Sequence, residues 1–167
     1  MVLTKSELLA SLQNEVRILS HLVSKIDRAK LDYRPSPKQR STIELLKYLS
    51  IMGPGLVQAA KAGGFDPTAW TASQKTAEAR DFDQTIAVIA AHGDAYATLL
   101  ADVSDADLRA EVDGLDGKKT TRGAVFVNLV LSGCVAYRMQ LFLYLKACGR
   151  EELGTMNLWA GADTPAP

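Results

Sequence analysis

The chain has 167 residues, and its 19 Lys+Arg are balanced by 19 Asp+Glu, for a formal net charge of zero. With 47% hydrophobic and 23% charged residues, it has the composition of an ordinary globular domain, long enough to bury a core without disulfides or metal. Zero net charge removes the long-range pull used by general nucleic-acid and membrane-surface binders, so neither partner is expected.

Thr4-Lys5-Ser6-Glu7 is a capping box. Behind it Leu8, Leu12, Val16, Leu19, Val23 and Ile26 recur at three- and four-residue spacing, the buried stripe of a first helix. At about 100° per residue, His21 falls opposite Leu12, on the wet face. The period breaks over residues 27–40, where Pro35 and Pro37 push their predecessors toward extended backbone. Ser41-Thr42-Ile43-Glu44 is a second capping box, opening a helix through Leu45, Leu46, Leu49 and Ile51. Pro54 removes a helical donor and clashes with the preceding turn, which predicts a kink or a restart. A continuation from Val57 to Ala62 stops at Gly63-Gly64. No element is assigned between Gly64 and Phe82.

A third helix is expected over residues 82–101, with Phe82, Ile86, Ile89, Tyr96 and Leu100 inward. His92 lies between Val88 and Tyr96 on this wheel, and a hydrogen-bonded core histidine is the plain reading. Residues 102–120 are polar and acidic; Ser104-Asp105-Ala106-Asp107 caps a short helical turn, and Gly114 and Gly117 mark loops. A last helix follows over residues 122–148, closed by Gly149. Between Gly123 and Leu145 its only formal charge is Arg138. A membrane span needs about 20 consecutive apolar residues, but Asn128, Ser132, Gly133, Arg138 and Gln140 interrupt the run. The helix therefore reads as the central element of a bundle, contributing also to a dimer interface. Asn157-Leu158-Trp159 is expected to pack the tail onto the bundle, and Pro165-Ala166-Pro167 to be loose.

Charge is unevenly placed. Residues 25–47 hold seven basic residues against Asp27, Asp32 and Glu44, and residues 94–116 hold seven acidic residues against Arg109. Solvated helix ends explain this, as do complementary surfaces in a homodimer, which is the expected assembly. Cys134 and Cys148 lie roughly 21 Å apart on a continuous helix, beyond disulfide reach. Reduced thiols, no secretory pattern at the N-terminus and a cytoplasmic location follow as expectations.

Two motif regions resemble the DinB/YfiT-like four-helix-bundle superfamily. One is Leu31-Asp32-Tyr33-Arg34-Pro35-Ser36-Pro37 followed by Gln39-Arg40-Ser41 and Glu44-Leu45-Leu46; the other is Tyr137-Arg138-Met139-Gln140-Leu141 followed by Tyr144-Leu145 and Gly149. The resemblance implies an all-α four-helix bundle with long crossover loops over residues 27–40 and 102–120 and a short extra helical turn. It implies one domain over residues 1–160 and a flexible C-terminal tail over 161–167. Many members hold a divalent metal with one histidine of the second helix and a His-x-x-x-His pair of the last. Those positions match Tyr48, Gly133 and Tyr137 here, so the triad is absent.

Residues i and i+4 share a helical face, which is why two imidazoles there converge on one ion. A glycine has no ligand to offer, and phenols with a reference pKa near about 10 are poor ligands for zinc or nickel at neutral pH. No metal cofactor is therefore expected. Two functions remain. One is a metal-free, non-enzymatic bundle that binds a small ligand or a protein partner, with Tyr48, Gly133 and Tyr137 as the candidate pocket and His92, Arg138 and Gln140 as secondary candidates. The other is a metal-dependent thiol transferase or hydrolase of the DinB type with a displaced site, using His92 and nearby acids such as Asp94.

Overall fold

A computed structural model describes residues 3–114 and 117–163. Four long helical elements form the bundle: α1 (Lys5–Val23), α2 (Thr42–Ala62), the pair α4 (Phe82–Ala90) and α5 (His92–Leu99), and the run from α7 (Arg122–Val125) through a π-helical stretch (Phe126–Leu131) into α8 (Ser132–Ala147). The first two start where their capping boxes predict. Thr4 accepts from the Glu7 N–H and Ser41 from the Glu44 N–H, and each glutamate reaches back to its cap. α2 ends on Gly63, whose φ of 74° is the left-handed conformation a glycine stop requires.

Pro54 does not restart α2, which runs unbroken for 21 residues. The proline still leaves its mark. Without an N–H at position 54, the Ser50 carbonyl one turn earlier loses its helical donor. His92 replaces it: its Nε2–H donates to the Ser50 carbonyl at 3.1 Å. Because a carbonyl oxygen only accepts, Nε2 carries a proton in this contact.

Three further departures have local causes. The expected third helix is two helices hinged at Ala91, whose ψ of −5° departs from helical values while α-type hydrogen bonds bridge the joint. Between α2 and α4 stands a helix the hydrophobic pattern does not announce, α3 (Pro67–Glu78). Asp66 caps it and Pro67 opens it, but Ala77 is its only buried residue among those described. Its face is mostly polar, so its period is faint. His21, placed on the wet face by its wheel position, is covered by a π-helical turn (Met156–Ala160): Asn157 contacts its Nε2 at 3.1 Å, and Asp163 lies 3.7 Å from it.

The second crossover holds α6 (Asp105–Arg109), capped by Ser104 as expected, and a two-stranded antiparallel hairpin of β1 (Glu111–Asp113) and β2 (Lys119–Thr121), with Val112 opposite Thr120. The first crossover carries a single 3-10 turn, Arg28–Lys30. Asp116 and the Pro165-Ala166-Pro167 terminus lie outside the described residues. Asp163, within the segment expected as a tail, is tied to Lys25 at 2.6 Å.

The core has two parts. One gathers Leu22, Leu45, Leu46, Met52, Ile89, Leu141 and Leu145, and the other Leu8, Leu12, Val57, Tyr96, Leu100, Phe126 and Val130. The last helix is not the all-round central element that its composition suggests. Leu141, Tyr144 and Leu145 face inward, while Val135, Met139 and Leu143 stand exposed.

Candidate functional site

Tyr48 of α2 and Tyr137 of α8 meet across the seam between their helices, with ring centroids 4.8 Å apart and planes tilted by 57°. One turn away, a Cβ at Gly133 would stand 3.5 Å from Leu56 Cδ1 and 3.6 Å from Met52 Sδ. The helices therefore run antiparallel here, Tyr48 opposite Tyr137 and Met52 opposite Gly133. The three positions named from the sequence do share one region. The space beside Gly133 is taken by the Met52 thioether and the Leu56 methyl, as close packing demands.

The outer side of Tyr48 is built differently. The Arg40 guanidinium lies 4.0 Å over its ring, a cation–π contact. Trp70 of α3 meets the ring edge-on at 6.0 Å and stacks in turn with Phe65 at 5.4 Å. Trp70 reaches this place because Gly55 lets the indole close on α2; a Cβ there would stand 2.9 Å from it. Beside Tyr48 opens a cleft of about 480 Å³ between α2 and α3, bordered by Arg40, Lys47, Ile51, Gln74 and Glu78. Neither Gly133 nor Tyr137 lines it. Burial, reinforced by the adjacent Tyr137, pushes the Tyr48 phenol above its usual range and outweighs Arg40. A phenolate, the form a metal would need, is thus less accessible here than in water.

The secondary candidates stand elsewhere. His92 is buried, and burial lowers its pKa against the effect of its Ser50 contact. Asp94, its proposed partner, is exposed. Gln140 donates to the Tyr144 hydroxyl at 2.7 Å, which donates to the Arg40 carbonyl at 2.9 Å; this chain holds the proline-rich crossover against α8. Arg138 is buried, its Nε 3.1 Å from Glu15 Oε2 on α1, and it also donates to the Leu158 carbonyl. Desolvation raises the Glu15 pKa despite this partner.

Cys134 sits in the same polar layer, and burial pushes its thiol up to about 11. It is therefore protonated at neutral pH and a poor nucleophile. Among the described residues no group of three or more His, Cys, Asp or Glu side chains is placed to hold a metal ion. Arg40, Trp70 and Met52 were not singled out as site residues from the sequence. The Asp66-Pro67 pair, a cap followed by a first-turn proline, was the available signal for the helix that carries Trp70.

Helix order and two long crossovers define a four-helix bundle of the DinB-like type. The crystal structure of a DinB-like protein, YjoA of Bacillus subtilis, superimposes with a TM-score of 0.65 over 89% of this chain and 95% of that one, at 19% sequence identity. At that identity the likeness is one of fold, and the fold of this chain is DinB-like. No family model and no curated protein matches the sequence.

Proposed function

We propose that this protein acts by binding, without a catalytic metal, and that its ligand is a small amphipathic molecule seated in the cleft beside Tyr48. The observation that carries this reading is the setting of that ring. It meets the Tyr137 ring at 4.8 Å, lies under the Arg40 guanidinium at 4.0 Å and borders a cleft. The cleft joins apolar surface from Tyr48, Ile51 and Ala77 to two cations, Arg40 and Lys47, and two carboxylates, Glu44 and Glu78. Glu44 is already engaged by Arg34 and its own cap, and Arg40 on the ring is the cation that suits a ligand with a flat apolar body and one anionic group.

Metal chemistry at the family position would need ligands from two phenols and a glycine, with Met52 and Leu56 already against that glycine. A displaced site at His92 would have only the buried Nδ1 to offer, Nε2 being held by the Ser50 carbonyl, and among the described residues no group of three or more His, Cys, Asp or Glu side chains is placed to complete it. No specific observation favours the transferase or hydrolase reading.

The test uses 8-anilinonaphthalene-1-sulfonate, an amphipathic anion, with the full chain carrying Trp159→Phe so that Trp70 is the only tryptophan. Saturable probe fluorescence with energy transfer from Trp70 is expected, and Arg40→Ala or Tyr48→Ala should weaken it at least about tenfold, about 1.4 kcal/mol. Unchanged binding in both variants would refute the cleft. Stoichiometric zinc or nickel retained through dialysis, measured by elemental analysis, would refute the metal-free role.

A further inference from the structure

A cavity of about 330 Å³ opens where the start of α1 meets α6, β2 and α7. None of the residues around it borders the Tyr48 cleft. Its walls are sorted by depth. Leu8 and Leu108 are buried and Leu3, Ala124 and Val127 half-buried, whereas Arg109, Thr121 and Asn128 are exposed. Apolar groups therefore line the interior, and the polar side chains stand at the rim, where water reaches them.

The sequence holds this shape by local means. A Cβ at Gly123 would stand 3.0 Å from the Leu108 carbonyl oxygen, so the glycine lets α7 close on α6 and brings two walls together. The Thr121 hydroxyl accepts from the Ala124 N–H at 3.2 Å, which fixes how β2 turns into α7. Ala124, Val127 and Asn128 share one helical face at three- and four-residue spacing. The last two belong to the π-helical stretch Phe126–Leu131, an interruption of the α ladder of a kind that recurs at functional sites.

We propose that this cavity binds a single-chain amphiphile with an anionic head, its tail between Leu8, Leu108 and Val127 and its head beside Arg109. Depth sorting sets the orientation, because only a molecule with one apolar and one polar end matches both the interior and the rim. Size sets the tail. An apolar cavity of about 150 Å³ takes up benzene, so a cavity of about 330 Å³ admits a chain of roughly ten carbons.

Charge sets the head. Among the described residues Arg109 brings the only charge to the lining, and no acid lines it. The acids of α6 are already engaged: Asp105 accepts from the Lys5 N–H at 2.6 Å, and Asp107 accepts from the Ser104 N–H and hydroxyl at 2.8 and 2.6 Å. A carboxylate head gains a guanidinium there without facing a carboxylate across the cavity.

Isothermal titration calorimetry of the full chain with decanoate, kept below its micellar concentration, should show saturable binding at one molecule per chain. From hexanoate through octanoate to decanoate each added methylene should tighten binding about three- to fourfold, and hexadecanoate should gain little more. Ala124→Phe and, one turn on, Val127→Phe each fill the cavity and should weaken decanoate at least about tenfold with helical circular dichroism unchanged. Arg109→Gln should weaken octanoate about tenfold and leave uncharged octanol within about twofold. No saturable binding, affinity that keeps climbing through hexadecanoate, or decanoate binding that survives both phenylalanine variants would overturn the proposal. So would decanoate binding lost on Arg40→Ala but kept in Ala124→Phe, because the acid would then sit in the Tyr48 cleft.

Discussion

Replacing His92 with leucine tests the link between an interior proline and a buried imidazole. The two side chains are close in volume, so the substitution opens little cavity, and its main effect is to strip the Ser50 carbonyl of its donor. The loss of a buried partner costs about 1–3 kcal/mol. Pro54→Ala supplies the missing N–H one turn along α2 and removes a residue about 3 kcal/mol worse than alanine inside a helix. In that background His92→Leu should cost less than about 1 kcal/mol, giving a coupling of about 1–2 kcal/mol in the double-mutant cycle.

Urea unfolding followed by circular dichroism reads this directly. With a slope near about 2 kcal/mol per molar, the single substitution should lower the midpoint by about 0.5–1.5 M, and by much less beside Pro54→Ala. Equal costs in the two backgrounds, within about 0.3 kcal/mol, would refute the view that His92 is there to satisfy what Pro54 leaves open.

Two further outcomes follow from the same interior. Alanine at Gly53 would place a Cβ 2.0 Å from the Tyr96 hydroxyl, whereas at Gly133 its nearest neighbours are 3.5 and 3.6 Å away. Gly53→Ala should therefore destabilise by about 1–3 kcal/mol, and Gly133→Ala should stabilise by about 0.5–1 kcal/mol through helix propensity; thermal midpoints moving in opposite directions are the check. His92 also sets a pH dependence. Its folded pKa lies below the unfolded value of about 6.5, so its contribution is fully present above that pH and is lost as pH falls through the folded value. Stability should decline from pH 7 toward 5, and His92→Gln, which keeps an amide donor for Ser50, should reduce the slope by up to about 1.4 kcal/mol per pH unit; an unchanged slope would show that the titration belongs elsewhere.

What was legible in the sequence is what is local. The capping boxes at Thr4 and Ser41 and the glycine stop at Gly63 are satisfied within a few residues, and all three stand where the motifs put them. The pairing of Pro54 with His92 spans 42 residues, and each looks like an isolated irregularity until the fold joins them. The π-helical stretch at Phe126–Leu131 shifts hydrogen-bond register without a periodic signature, with Ser132 Oγ donating to the Val127 carbonyl five residues back at 3.0 Å. The outer face of α8 was misjudged because composition reports how apolar a helix is but not which neighbours cover it. Meanwhile α3 was missed because it buries so little that an apolar stripe scarcely exists.

At the site, packing and chemistry are bound together. Tyr48 and Tyr137 set the separation of α2 and α8 at one level, and at the next the glycine lets Met52 and Leu56 fill the seam. A large residue at 133 would meet both of those side chains in a close-packed interior that yields only at a cost of about 1–3 kcal/mol. The inner side of the seam is therefore a fixed spacer. The cleft side of Tyr48 is held less firmly: Arg40, which rests on the ring, is exposed, so under the proposed function it is the guanidinium and not the seam that would move to admit a ligand.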